Sequence, residues 1–446
     1  MKGEMLMTLE ELLEDMEYSY DVDESLSYSG FKIKIFPTEE QRKQIFTNFD
    51  IFDWCYNRAL ELHDTDNELT PREIVNTIKM ELKSHPTLNN YTDSIIRLSV
   101  ANYFDALDRS KHVKGCSKPI PKEPRMVGRV YQFKTETLRI GKDFVKLENV
   151  KDVVRTGYNN IPEKRKTAYS REGHLVYYRA TVKYDGIDFW FSVNIKYPNN
   201  IVTIFKKTPE KTDPIGIDVG MKISAMCSNG WKFNTPMDYR RVKRVERLDS
   251  LITKAYIEPA LELSYKTGIP YHKIPKSGKV TKKQKKKIKT LRKIANRKDS
   301  AIHEFTAHLI KENPTAIVME NFSVEEMCKG KSEEFCKELY AQCLFKIKHY
   351  TRYKCKRAGI PFVTADKSYP STKRCSKCGN MDINLMVIES SRDRKFHCRN
   401  CGLIIDRDLN ASCNLRDIVL DPSLYKYIYK IEYKGHTFKR KSKDVV

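Results

Sequence analysis

Cys375-Ser-Lys-Cys378-Gly379, then Cys398-Arg-Asn-Cys401-Gly402, then Ile405-Asp406-Arg407-Asp408-Leu409-Asn410-Ala411-Ser412: this stretch decides how the chain is read. Two Cys-x-x-Cys pairs with 19 residues between them have the spacing of a ribbon folded around one tetrahedral metal ion, zinc above all. Four sulfurs leave no open coordination position, so such an ion holds structure and performs no chemistry. Cysteines buried merely as small apolar residues would not account for Gly379 and Gly402, each directly after a second cysteine. The carboxylates that follow, on an exit strand leading into a helix, are a different signal. They point to an acid site beside the ribbon.

Bulk composition sets the frame. A chain of 446 residues with 40% hydrophobic content exceeds one core and divides into two to four domains. No run of eighteen apolar residues is present, so no membrane span is expected. The N-terminus lacks an apolar signal region, so secretion is not expected either. Beyond the tetrad, eight cysteines are scattered singly (Cys55, Cys116, Cys227, Cys328, Cys336, Cys343, Cys355 and Cys413), which reads as reduced thiols inside a cell. The net charge of +24 is the footprint of a polyanion partner. It is uneven: residues 1–30 hold nine acids against one lysine, so the rest carries about +32.

Along the chain, a short helix is expected around Leu9–Met16, and Phe31-Lys-Ile-Lys-Ile-Phe36 alternates as a half-buried strand stopped by Pro37. Thr38 caps a helix that opens with Glu39, Glu40 and Gln41, and two more helical patterns follow at about 71–85 and 91–110. Short strands are expected at 129–133, 144–147, 175–183 and 188–195, with turns at Asp185-Gly186 and Pro198-Asn199-Asn200. After a boundary at 211–214 come a hairpin at 215–230 and a basic helix at 237–262 carrying Arg240, Arg241, Lys243, Arg244 and Arg247. The densest basic run, 272–298, includes Lys282, Lys283, Lys285, Lys286 and Lys287. A buried strand ends at Glu320, a helix covers about 335–358, a strand covers 362–365, and a last helix starts near 409.

Three acids sit at the ends of apolar strands or at a strand-to-helix step: Asp218, Glu320 and Asp408. A carboxylate in such surroundings is costly to bury unless it is paired or bound to a cation. Three of them gathered on one sheet edge would repel one another unless divalent ions lay between, and two Mg²⁺ ions in that position suit phosphodiester hydrolysis. Asp408 opens a helix, whose N-terminal dipole favours the ionised form.

Gly216-Ile-Asp-Val-Gly-Met-Lys222, Ile317-Val-Met-Glu-Asn-Phe322, Tyr369-Pro-Ser-Thr-Lys-Arg-Cys-Ser-Lys-Cys-Gly379 and Asp406-Arg-Asp-Leu-Asn-Ala-Ser412 together resemble the transposon-encoded TnpB nucleases, close kin of the compact type V CRISPR effectors. Ile35-Phe-Pro-Thr-Glu-Glu-Gln41 and Tyr56-Asn57 fit as well, so the resemblance covers roughly residues 30–420. It implies an α+β multidomain chain. An RNase H-like (RuvC) α/β nuclease domain would occupy 211–368 and 403–425, with the zinc ribbon at 369–402 inserted in it. A wedge-type β-barrel at 31–37 and 116–210 would be interrupted by a helical recognition lobe at 38–115. An acidic extension (1–30) and a basic tail (426–446) would flank these. By the same resemblance Asp218, Glu320 and Asp408 are the catalytic acids that hold Mg²⁺, and Cys375, Cys378, Cys398 and Cys401 hold Zn²⁺. Asp406 takes a supporting role, Asn410 either caps a helix or positions the metal loop, and Ser412 stands where alanine is more usual.

The implied partners are a guide RNA and double-stranded target DNA, in the cytoplasm of a bacterial or archaeal cell. Base pairing would supply specificity, while the protein reads a short flanking DNA motif. The residues expected to read that motif, around 70–73, 93–97 and 133–135, depart from the family pattern, so the motif stays open. Monomer and homodimer are both open, as are a transposon and a CRISPR setting. A nuclease-inactive, RNA-guided repressor is the second reading, and the presence of all three acids counts against it.

Overall fold

The computed structural model describes residues 16–19, 26–112, 116–122, 128–134, 138–141, 143–157, 176–198, 210–267, 280–381, 394–433 and 436–440. The expected Leu9–Met16 helix (apart from Met16 itself), the Asn199-Asn200 turn and the basic run up to 279 lie outside them. In chain order, the elements begin with β1 (Met16–Ser19), β2 (Leu26–Phe36), α1 (Glu39–Thr65), α2 (Pro71–Lys83) and α3 (Asp93–His112). Strands β3 (Arg129–Phe133), β4 (Arg139–Ile140), β5 (Phe144–Lys146), β6 (Val154–Thr156), β7 (Val176–Tyr184) and β8 (Phe189–Pro198) follow. Then come β9 (Ile215–Asp218), β10 (Ala225–Cys227), β11 (Lys232–Phe233), α4 (Tyr239–Ile252), α5 (Glu258–Thr267) and α6 (Lys282–Lys311). The last stretch holds β12 (Ile317–Glu320), α7 (Val324–Cys328), α8 (Glu333–Ala341), α9 (Leu344–Ala358) and β13 (Phe362–Ala365). It closes with β14 (Lys395–His397), β15 (Ile404–Asp406), α10 (Arg407–Asp417), β16 (Ile428–Tyr433) and β17 (His436–Arg440).

Two compact units result: one from residues 26–198 and 240–292, the other from 1–25, 199–239 and 293–446. The expected nuclease segment 211–368 is therefore shared between them. In the first unit, seven antiparallel strands run in the order β3-β7-β8-β2-β6-β5-β4. The capping box at the start of α1 is real: Thr38 N–H donates to Gln41 Oε1 at 3.0 Å, and Gln41 N–H donates to Thr38 Oγ1 at 3.3 Å. The three helices do not form a core of their own. Phe49 of α1 meets Tyr131 of β3 edge-to-face at 5.4 Å, Phe46 meets Phe189 at 5.8 Å, and one continuous apolar cluster joins helices and sheet.

The second unit is built on an eight-stranded mixed sheet in the order β1-β17-β16-β13-β12-β9-β10-β11, with β9, β12 and β13 mutually parallel. Alternation divides its side chains cleanly. Ile215, Ile217, Ile317, Met319 and Phe362 face a core shared with Phe305 and Leu309 of α6 and Ile347 of α9. Val318, Val363 and Ala365 face the opposite core, with Leu415 of α10 and Ile418 just beyond its end. Residues 428–433 and 436–440, expected as part of a basic tail, instead form two strands that widen this sheet, and β1 from the acidic head pairs with the outer one. The helix expected across 335–358 breaks at Cys343, which takes a left-handed conformation (φ +57°). Thr235 Oγ1 donates to the Gln342 carbonyl at 2.6 Å and Ser224 Oγ to its side chain at 2.7 Å. Among the described residues no helix is long and apolar enough to cross a membrane.

Candidate active site and metal centre

The cysteine tetrad is assembled by local turns. Gly379 and Gly402 adopt φ of +72° and +69°, and each donates its N–H to the carbonyl of the first cysteine of its pair at 2.9 Å. A residue with a Cβ is strained in that conformation, which explains the glycine after each second cysteine. The short β14–β15 hairpin closes the second pair against the first. Cys375 and Cys401 sulfurs lie 3.7 Å apart, and those of Cys378 and Cys398 lie 3.6 Å apart. Tetrahedral zinc with Zn–S bonds of ~2.3 Å needs sulfurs about 3.8 Å apart, so the donor set fits that ion. Among the described residues this is the one group of potential ligands whose atoms all lie within 4.8 Å of one another. Cys378 is drawn toward the thiolate, its pKa lowered to about 6, first by the N–H of Asn380 and then by Asn400 Nδ2, which donates to it at 3.6 Å.

The three acids arrive by long-range topology. Asp218 and Glu320 end the adjacent parallel strands β9 and β12, whose register pairs Ile217 with Met319. By alternation both follow Gly216 and Val318 onto the α10 side of the sheet. Asp408 lies in the first turn of α10, which packs directly over β9. Gly216 permits that seat, since a Cβ there would overlap the backbone of Ser412 and Arg416. Asp218 and Asp408 are buried, and Glu320 is partly buried. Burial first, then the charges of Glu320 and Asp408, hold the Asp218 carboxyl well above its ordinary value; Arg407 and Arg394 pull the other way. Glu320 is also raised, by burial, against the opposing charge of Lys348. The structure thus brings all three acids into one electrostatic neighbourhood, though not into a group as tight as the cysteines.

Two neighbours carry no strong sequence signal. Arg394 donates to Asp408 Oδ2 through Nη2, and its carbonyl accepts from Arg407 N–H at 2.8 Å. The fourteen positions that separate the two hide that pairing from any local pattern. Lys348, from α9, donates to the Glu320 carbonyl at 3.2 Å. Asp406 caps α10, its Oδ1 accepting from the N–H groups of Asp408 (3.0 Å) and Leu409 (3.1 Å), which is a supporting role. Asn410 is no cap: its side chain reaches into the ribbon, bonding to the backbone of Arg374 and Ser376.

The basic candidates fall elsewhere. Arg240, Arg241, Lys243, Arg244 and Arg247 lie on α4, and Lys282, Lys283, Lys285, Lys286 and Lys287 open α6; all belong to the first unit, whereas the acids and cysteines belong to the second. Most are exposed, but Lys287 is engaged by Asp249 and is not a free cation.

Residues 345–415 match the family profile of the Cas12f1-like TNB domain, and residues 28–65 match a helix-turn-helix domain profile. The latter span folds here as strand β2 and the single long helix α1. A Streptomyces pristinaespiralis protein with the provisional name RNA-guided DNA endonuclease is 25% identical over 235 residues, 53% of this chain and 51% of that protein. The match thus spans about half of that relative's length. A TnpB-like protein of Acanthamoeba polyphaga mimivirus, L79, is 22% identical over 434 residues, covering 88% of this chain and 74% of the viral one. Among solved structures, the effector chain of a Cas12f1–sgRNA–target DNA complex overlaps 90% of this chain and 99% of its own, at 13% identity and a TM-score of 0.46.

Proposed function

We propose, from its likeness to the TnpB family, that this chain is an RNA-guided DNA endonuclease whose hydrolytic site is Asp218, Glu320 and Asp408. The observation that carries the reading is the gathering of Glu320 and Asp408 beside the buried Asp218 carboxyl, which burial first and their charges second push upward. A fold does not keep such an arrangement for stability, because each added charge costs the others. It suits divalent cations. Those three carboxylates would hold two Mg²⁺ ions, which when bound supply Lewis-acid polarisation of a phosphodiester and an activated water.

The chain's own residues do the rest. Asp406 fixes the first turn of α10, so Asp408 is presented at a defined height above β9. Arg394 neutralises Asp408 in the metal-free protein, which lowers the repulsion felt at Asp218. Gly216 sets how closely α10 approaches the strand that carries Asp218. The cysteine tetrad is the zinc-binding, purely structural site. The exposed cations of α4 and α6 contact nucleic-acid phosphates without reading bases, so binding through them weakens as salt rises. Specificity comes from pairing between guide RNA and one target strand.

The test is purification of the full chain with its bound RNA, followed by sequencing of that RNA and a cleavage assay on DNA matching it. We expect an RNA of defined length, and cutting that Asp218→Ala abolishes without releasing the RNA. Cutting by the alanine variant overturns the assignment of the site; the absence of a defined RNA overturns the guided mechanism.

A further inference from the structure

Helix α10 carries Asp408 on one face and, beginning two positions on, a pair of asparagines on another. Asn410 and Asn414 stand four apart, so they lie one above the other on the same face. Both are completely buried. Neither bonds to its own helix through its side chain; both reach across to the first cysteine pair of the ribbon. Asn410 Nδ2 donates to the Arg374 carbonyl at 2.8 Å, and its Oδ1 accepts from Ser376 N–H at 3.0 Å, so its amide clamps the residues on either side of Cys375. Asn414 Nδ2 donates to the carbonyls of Ser371 and Arg374, each at 2.6 Å, while its Oδ1 accepts from Arg374 Nη1 at 3.1 Å. Tyr369 Oη closes the set by donating to the Asn414 carbonyl at 2.9 Å.

This is more polar bonding than packing requires. Two buried amides are satisfied only when the loop 371–376 has the shape that its cysteine imposes. On its other side α10 rests on Gly216 with backbone against backbone, so it cannot shift toward β9 to compensate for a loosened ribbon. We propose that Asn410 and Asn414 are positioning residues that make the placement of Asp408 depend on the folded, metal-loaded ribbon. The cysteine site is then a structural precondition of the acid site, transmitted through two amides. The inference deepens the function proposed above and rests on it for the meaning of Asp408, but the lock itself can be read without turnover.

The experiment uses the full chain with Mn²⁺ as the probe of the acids and hydrogen–deuterium exchange as the probe of α10. Removing zinc from the unsubstituted protein should speed exchange in 408–414 and weaken Mn²⁺ binding about 10-fold or more, the usual cost of losing an outer support of a metal site. The Asn410→Ala/Asn414→Ala variant should retain its zinc, bind Mn²⁺ as weakly as the zinc-depleted protein, and lose nothing further when zinc is removed. Asn410→Asp keeps the acceptor for Ser376 and loses the donor to Arg374, so its Mn²⁺ midpoint should fall between. The lock is overturned if exchange in α10 ignores zinc, or if the double variant melts earlier with an unchanged Mn²⁺ midpoint. If exchange responds as expected while Asp218→Ala leaves Mn²⁺ binding intact, the lock stands and the metal role of the acids is what fails.

Discussion

The cysteines and the carboxylates are both candidate metal ligands, yet they are built in opposite ways. The cysteine sulfurs already stand 3.6–3.7 Å apart in their pairs, close to the spacing of a filled tetrahedron. The carboxylates share a neighbourhood but keep apart, and one of them is held by Arg394. Part of the difference is chemical. Thiols tolerate proximity, and glycine turns can set it cheaply; buried carboxylates repel, as Glu320 and Asp408 do beside Asp218. The lesson is that a cysteine cluster can be preformed by its own loop, whereas buried carboxylates brought together by tertiary contacts stay under mutual repulsion.

The contrast can be broken first at the acids. Asp218→Ala should cut DNA cleavage by at least about a thousand-fold, because the removed carboxylate would hold the cations that stabilise charge developing only in the reaction. It should leave zinc content at one ion per chain by metal analysis. Next in size is the ribbon: Cys398→Ser should empty the tetrad and cost roughly 3 kcal/mol or more, as loss of a structural metal commonly does, read by thermal melting and by proteolysis within 369–402. Gly216→Ala should cost about 2 kcal/mol, since the new methyl meets backbone rather than a yielding side chain, and should impair cleavage with zinc retained.

The smallest effect sharpens the idea of tension. The Asp218 carboxyl is raised in the fold, so the folded chain binds that proton more tightly than the unfolded chain does. Stability of the Mg²⁺-free protein should therefore fall as pH rises from the ordinary carboxylate range through the raised value. Asp218→Asn removes that loss and should melt later than the unsubstituted protein at pH 8, with the advantage shrinking as pH falls toward the ordinary carboxylate range. Saturating Mg²⁺ should erase the advantage. A variant that is inactive yet no more stable at pH 8 would mean that the acids do not strain one another.

Several elements were legible as pattern. The Thr38 capping box, the strands at 129–133 and 362–365, and the cysteine knuckles are each local, with every decisive residue within a few positions of its partner. The acids stood out as candidates because Asp218 and Glu320 end apolar runs and Asp408 stands at a strand-to-helix step. Other features had no such trace. The asparagine amides needed the ribbon's loop, Arg394 needed a hairpin to return it to Asp408, and residues 428–433 became sheet because β13 offered them an edge. Lys287 looked like the other lysines until Asp249, 38 residues away, engaged it.

The order of residues thus determined the parts: knuckles, caps, strands, and which acids were too costly to bury without purpose. Tertiary structure alone decided which parts meet. Hydrophobic alternation fixes a strand's two faces, but which helix covers a face, and which charge ends beside which, depends on contacts between segments more than a hundred residues apart. Asp218, Glu320 and Asp408 acquire a common electrostatic fate only once Gly216 lets α10 settle on β9.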